Sequence, residues 1–302
     1  MIAVLCPGQG AQAPGMLAPW LELPSVAARL GELAEASGVD IVRHGTSSDA
    51  DTIRDTAIAQ PLLVATAIAT GRELLGGAIP ALTAGHSVGE LGAAALAGAL
   101  TDADAMRLVT VRANAMAEAA ASSEPTSMAA VLGGVEEDVA AALAEHGLTP
   151  ANVNGGGQVV AAGSKAAIEA LVAAPPARAR VIELQVAGAF HTTYMAPAVA
   201  ALDAAAGVTT PADPAAILLS NADGAQVADG ADALARIVRQ VANPVRWDLC
   251  MRTMLELGVT GIVEVAPGGV LTGLAKRAMK GVPAVALKTP DDLAAARELL
   301  EA

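Results

Sequence analysis

The chain has 302 residues, 54% of them hydrophobic, enough to build one large core or a large and a small one. Its net charge of −13 and its few aromatic side chains (two Trp, one Tyr, one Phe) argue against nucleic acid and anionic membranes as partners. The charge-free stretches are broken by Gly, Pro, Gln, Asn or His, and the start MIAVLCPGQG has no basic segment, so neither a membrane span nor a secretory leader is expected.

Residues 2–6 (IAVLC) read as a short buried strand, followed by the turn-forming run 6-CPGQGAQAPGM-16. A helix is predicted over 51–76, a strand over 79–84, and alanine-rich helices over 88–99 and 102–121, the last capped by Thr101 or Asp102. Strands alternating with helices imply a parallel α/β sheet. The middle then changes character. Ser127–Leu132 reads as a strand and Glu136–His146 as a helix. Two strands, Leu148–Asn154 and Gln158–Ala162, flank a Gly155-Gly156-Gly157 turn. A helix over Lys165–Ala173 and a strand over Arg178–Val186 complete a βαββαβ order, the ferredoxin-like motif. A small subdomain at 124–187 is therefore expected inside a large α/β subdomain made of 1–123 and 188–302. After it come a strand near 216–220, helices over 231–242 and 247–257, a strand over 261–265, a helix over 270–279, a strand over 283–287 and a short helix over 290–301. Cys6 and Cys250 lie far apart in apolar surroundings, which predicts buried free thiols in a reducing, cytoplasmic setting. No Cys/His cluster has zinc spacing, and the acid pairs at 49–51 and 102–104 read as solvated caps, so no metal is expected.

The chemistry concentrates at Gly85-His86-Ser87-Val88-Gly89. This fits G-x-S-x-G between a strand and a helix, the nucleophile elbow, in which small flanking residues permit a strained turn that exposes the serine oxygen. The helix behind it would aim free N–H groups at a developing negative charge. The competing reading is a small-residue turn with a capping serine. A nucleophilic serine needs a base. His86 adjoins Ser87 and should aim elsewhere on a tight turn. His44 and His146 sit among polar residues and read as solvated. His191, in 186-VAGAFHTTYMAP-197, stands where the small subdomain returns the chain, beside Phe190 and Tyr194, at a junction suited to a cleft. A satisfied core histidine is the alternative. No acid convincingly partners it: those near the site elements read as helix-surface groups, and a backbone carbonyl could orient the ring instead. Pro7-Gly8-Gln9-Gly10 follows the first strand with neither dinucleotide-loop nor phosphate-loop spacing, and could lend an N–H to an oxyanion hole. By periodicity alone, Arg112 borders the apolar face of its helix and reads as a surface side chain lying along it.

Taken together, these residues resemble the malonyl-CoA:acyl carrier protein transacylases and the acyltransferase domains of polyketide and fatty acid synthases. The likeness runs through PGQGAQ at 7–12, Gln60-Pro61, GHSVGE at 85–90, Arg112 placed 25 residues after Ser87, ANVNGGGQVVAAG at 151–163, GAFH at 188–191, RQVANPVRW at 239–247 and EVAPGGVLTGLAKR at 264–277. The resemblance implies an α/β hydrolase-like large subdomain with a ferredoxin-like insertion. It also implies Ser87 as nucleophile and His191 as its base, with the carbonyl of Gln240 orienting the imidazole. The N–H groups of Gln9 and Val88 would form the oxyanion hole, and Arg112 would hold the substrate carboxylate. GAFH is similar to the HAFH of malonyl-selective domains, so Phe190 is expected to crowd branched acyl groups. Implied partners are malonyl-CoA and a phosphopantetheinylated acyl carrier protein, with no cofactor, and the family leans monomeric. Gly156 departs from the proline often found in the family's Asn-x-Asn-x-Pro-Gly-Gln loop. An acidic carrier would need a local basic patch on this acidic chain; Lys276, Arg277, Lys280, Arg178 and Arg180 are candidates, with ordinary solvated charges as the alternative. A serine hydrolase and a non-catalytic carrier-binding subunit are the rival functional readings.

Overall fold

The computed structural model describes residues 1–302. The chain opens with β1 (Ile2–Cys6), then the helices α1 (Pro24–Ser37), α2 (Ile41–Thr46) and α3 (Thr56–Leu75), the last two in chain order before β2 (Leu82–Gly85). The helices α4 (Gly89–Leu96) and α5 (Asp102–Ser122) follow. Next come β3 (Thr126–Gly133), α6 (Glu136–Glu145), β4 (Thr149–Gly155), β5 (Gln158–Ser164), α7 (Lys165–Ala173) and β6 (Ala179–Glu183). The remainder is α8 (Ala196–Ala206), β7 (Ile217–Leu219), β8 (Gln226–Val227), α9 (Gly230–Gln240), β9 (Val245–Arg246), α10 (Trp247–Glu256), β10 (Gly261–Glu264), α11 (Val270–Ala278), β11 (Ala284–Ala286) and α12 (Leu293–Glu301).

Two sheets organise these elements. The larger runs β11-β10-β1-β2-β7-β8, parallel except for the β7–β8 pair. The smaller runs β6-β3-β5-β4-β9. Its first four strands are antiparallel in the ferredoxin-like order, with α6 and α7 on one face closing a separate apolar core. Its fifth strand, β9, is only two residues long, comes from outside 124–187, and pairs parallel to β4. This strand ties the small sheet to the α9–α10 segment of the large one.

The helix predicted over 51–76 begins later, at Thr56, because the Asp55 side chain accepts from the Ala57 N–H at 2.8 Å and caps it there. Gly76 in the left-handed region ends it. Almost every side of α3 is buried, since it packs against α1, α4 and α5 at once. The helices α1, α2 and α8 went unassigned in the sequence. His44 does not follow the solvated expectation: α2 packs against α3, and the imidazole is buried with Nδ1 3.0 Å from Ser48 Oγ. His146, at the end of α6, is half-buried, and both cysteines are buried free thiols.

Strand β2 lies beside β1 at the sheet centre, and its turn into α4 is packed without clearance. A Cβ on Gly85 would come within 2.0 Å of the backbone of Gly89. Gly85→Ala is therefore expected to destabilise the fold by about 1–3 kcal/mol or more, read as a lowered urea midpoint; an unchanged midpoint would show that the turn has slack.

Candidate active site

The turn His86-Ser87-Val88 carries the serine. Ser87 has φ 54, a left-handed backbone that costs a non-glycine residue about 1–3 kcal/mol. Asn221, in the loop after β7, offsets it: Oδ1 accepts from the Ser87 N–H at 2.7 Å, and Nδ2 donates to the Gly85 carbonyl at 2.8 Å. The result points Ser87 Oγ at His191 Nε2, 2.7 Å away. His191 Nδ1 lies 2.9 Å from the Gln240 carbonyl, which can only accept. Nδ1 therefore carries the ring proton, and Nε2 is left to accept from the serine hydroxyl. His191 is itself at φ 60. Burial pushes its pKa down, helped by the charge of Arg112, to about 3, so the ring is neutral at physiological pH.

Arg112 is not the surface side chain that helical periodicity suggests; it is 1% exposed. The face of α5 that carries it is covered by α3 and by the segment bearing His191 and α8. Its Nη1 donates to Gln60 Oε1 at 2.5 Å, and its Nη2 to Gln240 Oε1 at 3.0 Å and, more loosely, to Ser87 Oγ at 3.4 Å. Its Nε has no partner. Burial pulls its pKa down to about 10, which leaves it charged at neutral pH. All its acceptors are neutral.

The backbone N–H groups of Gln9 and Val88 have no acceptor within the protein. Both residues belong to segments at the carboxyl ends of neighbouring parallel strands, β1 and β2. His86 turns away from Ser87, as expected: Nε2 lies 2.8 Å from Asn154 Oδ1, and its ring meets Trp247 edge-on at 5.6 Å. Phe190, 6% exposed, forms part of the wall. These groups share one cavity of about 520 Å3 between the two sheets, closed on other sides by Met128, Asn152 and the α11 residues Val270, Leu271 and Leu274. Thus Ser87, His191, Arg112, Gln9 and Phe190 all line it; Val88 and Gln240 do not, Val88 following Ser87 in the chain and Gln240 contacting Arg112 and His191.

Three groups escaped the sequence reading. Glu90, in the first turn of α4, is one of the acids near the site elements that read as helix-surface groups, but it is 4% exposed. The helix GELGAAAL has no polar face, and that was the available signal. One Glu90 oxygen accepts from the Asn221 N–H at 2.6 Å and the other from Gln240 Nε2. Burial pushes its pKa up to about 8, against the opposing pull of the Asn221 N–H and of Arg112. The Gln240 side chain joins Arg112, Glu90, Asn221 and the Ser87 carbonyl, which RQVANP gave no hint of. Glu264 is fully buried and accepts from the N–H groups of Gly269, Leu271 and Thr272, fixing α11 against the cavity.

A model of the acyl transferase domain family matches residues 4–291. A malonyl CoA-acyl carrier protein transacylase from Mycobacterium tuberculosis H37Rv is 50% identical over 297 residues, covering 97% of this chain and 98% of that protein. The chain belongs to this acyl transferase family. The malonyl CoA-acyl carrier protein transacylase of Escherichia coli K12 is 36% identical over 306 residues, covering 98% of this chain and 99% of that one. The crystal structure of MCAT from Mycobacterium tuberculosis superimposes with a TM-score of 0.94 at 49% identity, covering 98% of this chain and 99% of that one. A type II PKS acyl-carrier protein in complex with its malonyl-transacylase gives a TM-score of 0.91 at 32% identity over 99% of both chains.

In this acyl transferase the β4–β5 turn also differs locally. Gly156, where the family often carries proline, has φ 57, which a proline ring cannot adopt. Arg277 packs over this tip and donates to Gln158 Oε1 at 2.7 Å. Lys276, Arg277, Lys280, Arg178 and Arg180 are all exposed.

The neutral, buried imidazole has a kinetic signature. In the acyl-loading half-reaction, the acid-side inflection should lie well below the ordinary histidine value of 6.5. An inflection at or above 6.5 in a stopped-flow pH series would mean that the ring is solvated during turnover.

Proposed function

We propose that this enzyme transfers malonyl from malonyl-CoA to the phosphopantetheine thiol of an acyl carrier protein, through an ester on Ser87. One observation carries the reading: a serine oxygen 2.7 Å from an unprotonated imidazole nitrogen has a buried guanidinium 3.4 Å on its other side. The first pair is a nucleophile and its base; the second supplies an anion site where a short acyl group carrying a carboxylate would end.

Ser87 Oγ attacks the thioester carbonyl while His191 Nε2 takes its proton. The Gln240 carbonyl holds Nδ1–H and stabilises the resulting imidazolium, the task an acid performs in a triad. The tetrahedral oxyanion is received by the free N–H groups of Gln9 and Val88, each donor worth about 2.7–4 kcal/mol. The C–S bond then breaks, and coenzyme A leaves with the proton from His191. In the second half, the carrier thiol gives its proton to His191 and attacks the malonyl-serine carbonyl. Collapse of that intermediate returns the proton to Ser87. These steps use the chain's own groups and two thiol carriers, and call for no cofactor.

Arg112 pairs with the malonyl carboxylate through its guanidinium edge. Acetyl offers it no counter-charge, a difference of roughly 2–5 kcal/mol. Phe190 stands against the acyl site and disfavours a branch at the α-carbon. The small lobe is 124–187 and the large one 1–123 with 188–302. A single chain completes the site, which supports a monomeric unit. No helix is long and apolar enough to cross a membrane, and the two buried free thiols support a cytoplasmic setting.

Incubation with malonyl-CoA followed by mass spectrometry should find malonyl on Ser87 alone; acylation of another residue would remove the mechanism. Arg112→Ala should slow malonyl loading by roughly 30-fold or more while changing acetyl loading much less; equal losses would refute the clamp. Reversing the charges at Lys276, Arg277 and Lys280 should raise KM for the carrier protein and leave malonyl loading unchanged; an unchanged KM would put docking elsewhere.

A further inference from the structure

The site holds one cation and one buried acid that do not touch. Arg112 forms no salt bridge; its nearest acid is Glu90, reached through a single side chain, the Gln240 amide. The orientation of that amide is fixed without ambiguity. Asn221 Oδ1 faces the Ser87 N–H, so it is an oxygen, and the Ser87 carbonyl is an acceptor. The Gln240 group facing both of them, and Glu90, must be the NH2, which turns Oε1 towards Arg112. Glu90 thus holds the far end of the amide whose near end holds the guanidinium.

We propose that Glu90 is a positioning residue that sets selectivity for anionic acyl groups: through Gln240 it aims Arg112 at the acyl site, and its own charge competes with the substrate carboxylate for that cation. The inference rests on the reading of Arg112 as the carboxylate clamp. With Glu90 protonated, Arg112 has no counter-charge until the substrate arrives. With Glu90 ionised, Arg112 is partly balanced from behind, and a second anion is less welcome. Burial, opposed by the Asn221 N–H and by the charges of Arg112 and Arg236, leaves the carboxyl at about 8, within the working pH range. The ionisable groups around it are Arg112 from α5, Arg236 from α9 and Asp223 from the loop after β7. Cys250 of α10 also faces it, but burial pushes that thiol upward and keeps it protonated. Arg236 is already paired with Asp223 and Asp232, which leaves Arg112 as the cation whose balance Glu90 alters.

The test is the ratio of malonyl to acetyl loading rates, measured in the half-reaction from pH 6.5 to 9. Titration of His191 affects both donors and cancels in the ratio. The ratio should fall by roughly tenfold as pH rises, the repulsion at an effective dielectric of about 20 between an ionised Glu90 and a substrate carboxylate on the far side of Arg112, on the order of 10 Å apart. In Glu90→Gln the ratio should be flat. A flat wild-type ratio, or a slope that persists in Glu90→Gln, overturns the proposal. Calorimetry on Ser87→Ala at pH 8, in two buffers of different ionisation heat, tests it without altering Glu90. Malonyl-CoA binding should take up protons and acetyl-CoA binding should not; equal proton uptake, or none, also overturns it. Loss of malonyl preference at every pH would instead sink the clamp reading itself, whereas a strong but pH-independent preference removes only the role of Glu90.

Discussion

A serine held in left-handed backbone is the constraint on which the rest of the site depends. The peptide chain leaves the central strand β2 and enters α4 within three residues, so the Ser87 side chain projects beyond the sheet instead of lying in it. The same turn sorts the local N–H groups. That of Ser87 is taken by Asn221 and that of Gly89 by the His86 carbonyl, while that of Val88 has no partner. In the proposed mechanism the oxyanion forms beside Ser87, so the strain that exposes the hydroxyl also leaves free the donor needed one step later. Asn221 and the absence of a side chain at Gly85 hold this conformation, and neither touches the reacting atoms.

The electrostatics follow from burial. Arg112 is surrounded by amide oxygens and a hydroxyl, which solvate its charge without neutralising it. Such a cation retains most of its attraction for an arriving anion, because no tight ion pair must be broken first. Burial keeps the His191 imidazole unprotonated beside the serine, and the charge of Arg112 adds to that effect. In the proposed mechanism Arg112 thereby serves the acyl group at one edge and the imidazole at another. Gln240 links the two halves: its backbone carbonyl fixes the imidazole and its side chain fixes the guanidinium. A single helix end, the last turn of α9, thus sets the positions of imidazole and guanidinium together.

Much of this was legible in the sequence where the signal is local. The elbow announces itself because three consecutive residues between glycines determine the turn. The ferredoxin-like order was legible because each of its strands and helices carries its own short period and its one hairpin, β4–β5, closes over a glycine turn. His191 stood out through its place at the return from the small sheet. What failed were three inferences about burial made from one element alone. Arg112 looked exposed because periodicity reports the faces of one helix and cannot report that α3 and the His191 segment cover the remaining one. Glu90 was read as a surface acid for the same reason, although α4 has no polar face. His44 was assigned to solvent from polar neighbours that α2 turns elsewhere. The two-residue strand β9 lies below the length at which a pattern exists, and its partner β4 is some ninety residues away. Gln240 was found through its carbonyl by family resemblance, but the four contacts of its side chain depend on tertiary placement alone.

The central claim is that one acyl group spans Ser87 and Arg112. A crystal structure of the enzyme trapped with malonyl-CoA, flash-cooled before carrier protein is added, tests this most directly. The account predicts an ester at Ser87 Oγ, its carbonyl oxygen at the N–H groups of Gln9 and Val88, and the free carboxylate on the guanidinium of Arg112. A malonyl group on Ser87 whose carboxylate points to solvent, leaving Arg112 on Gln60 and Gln240 alone, would contradict it.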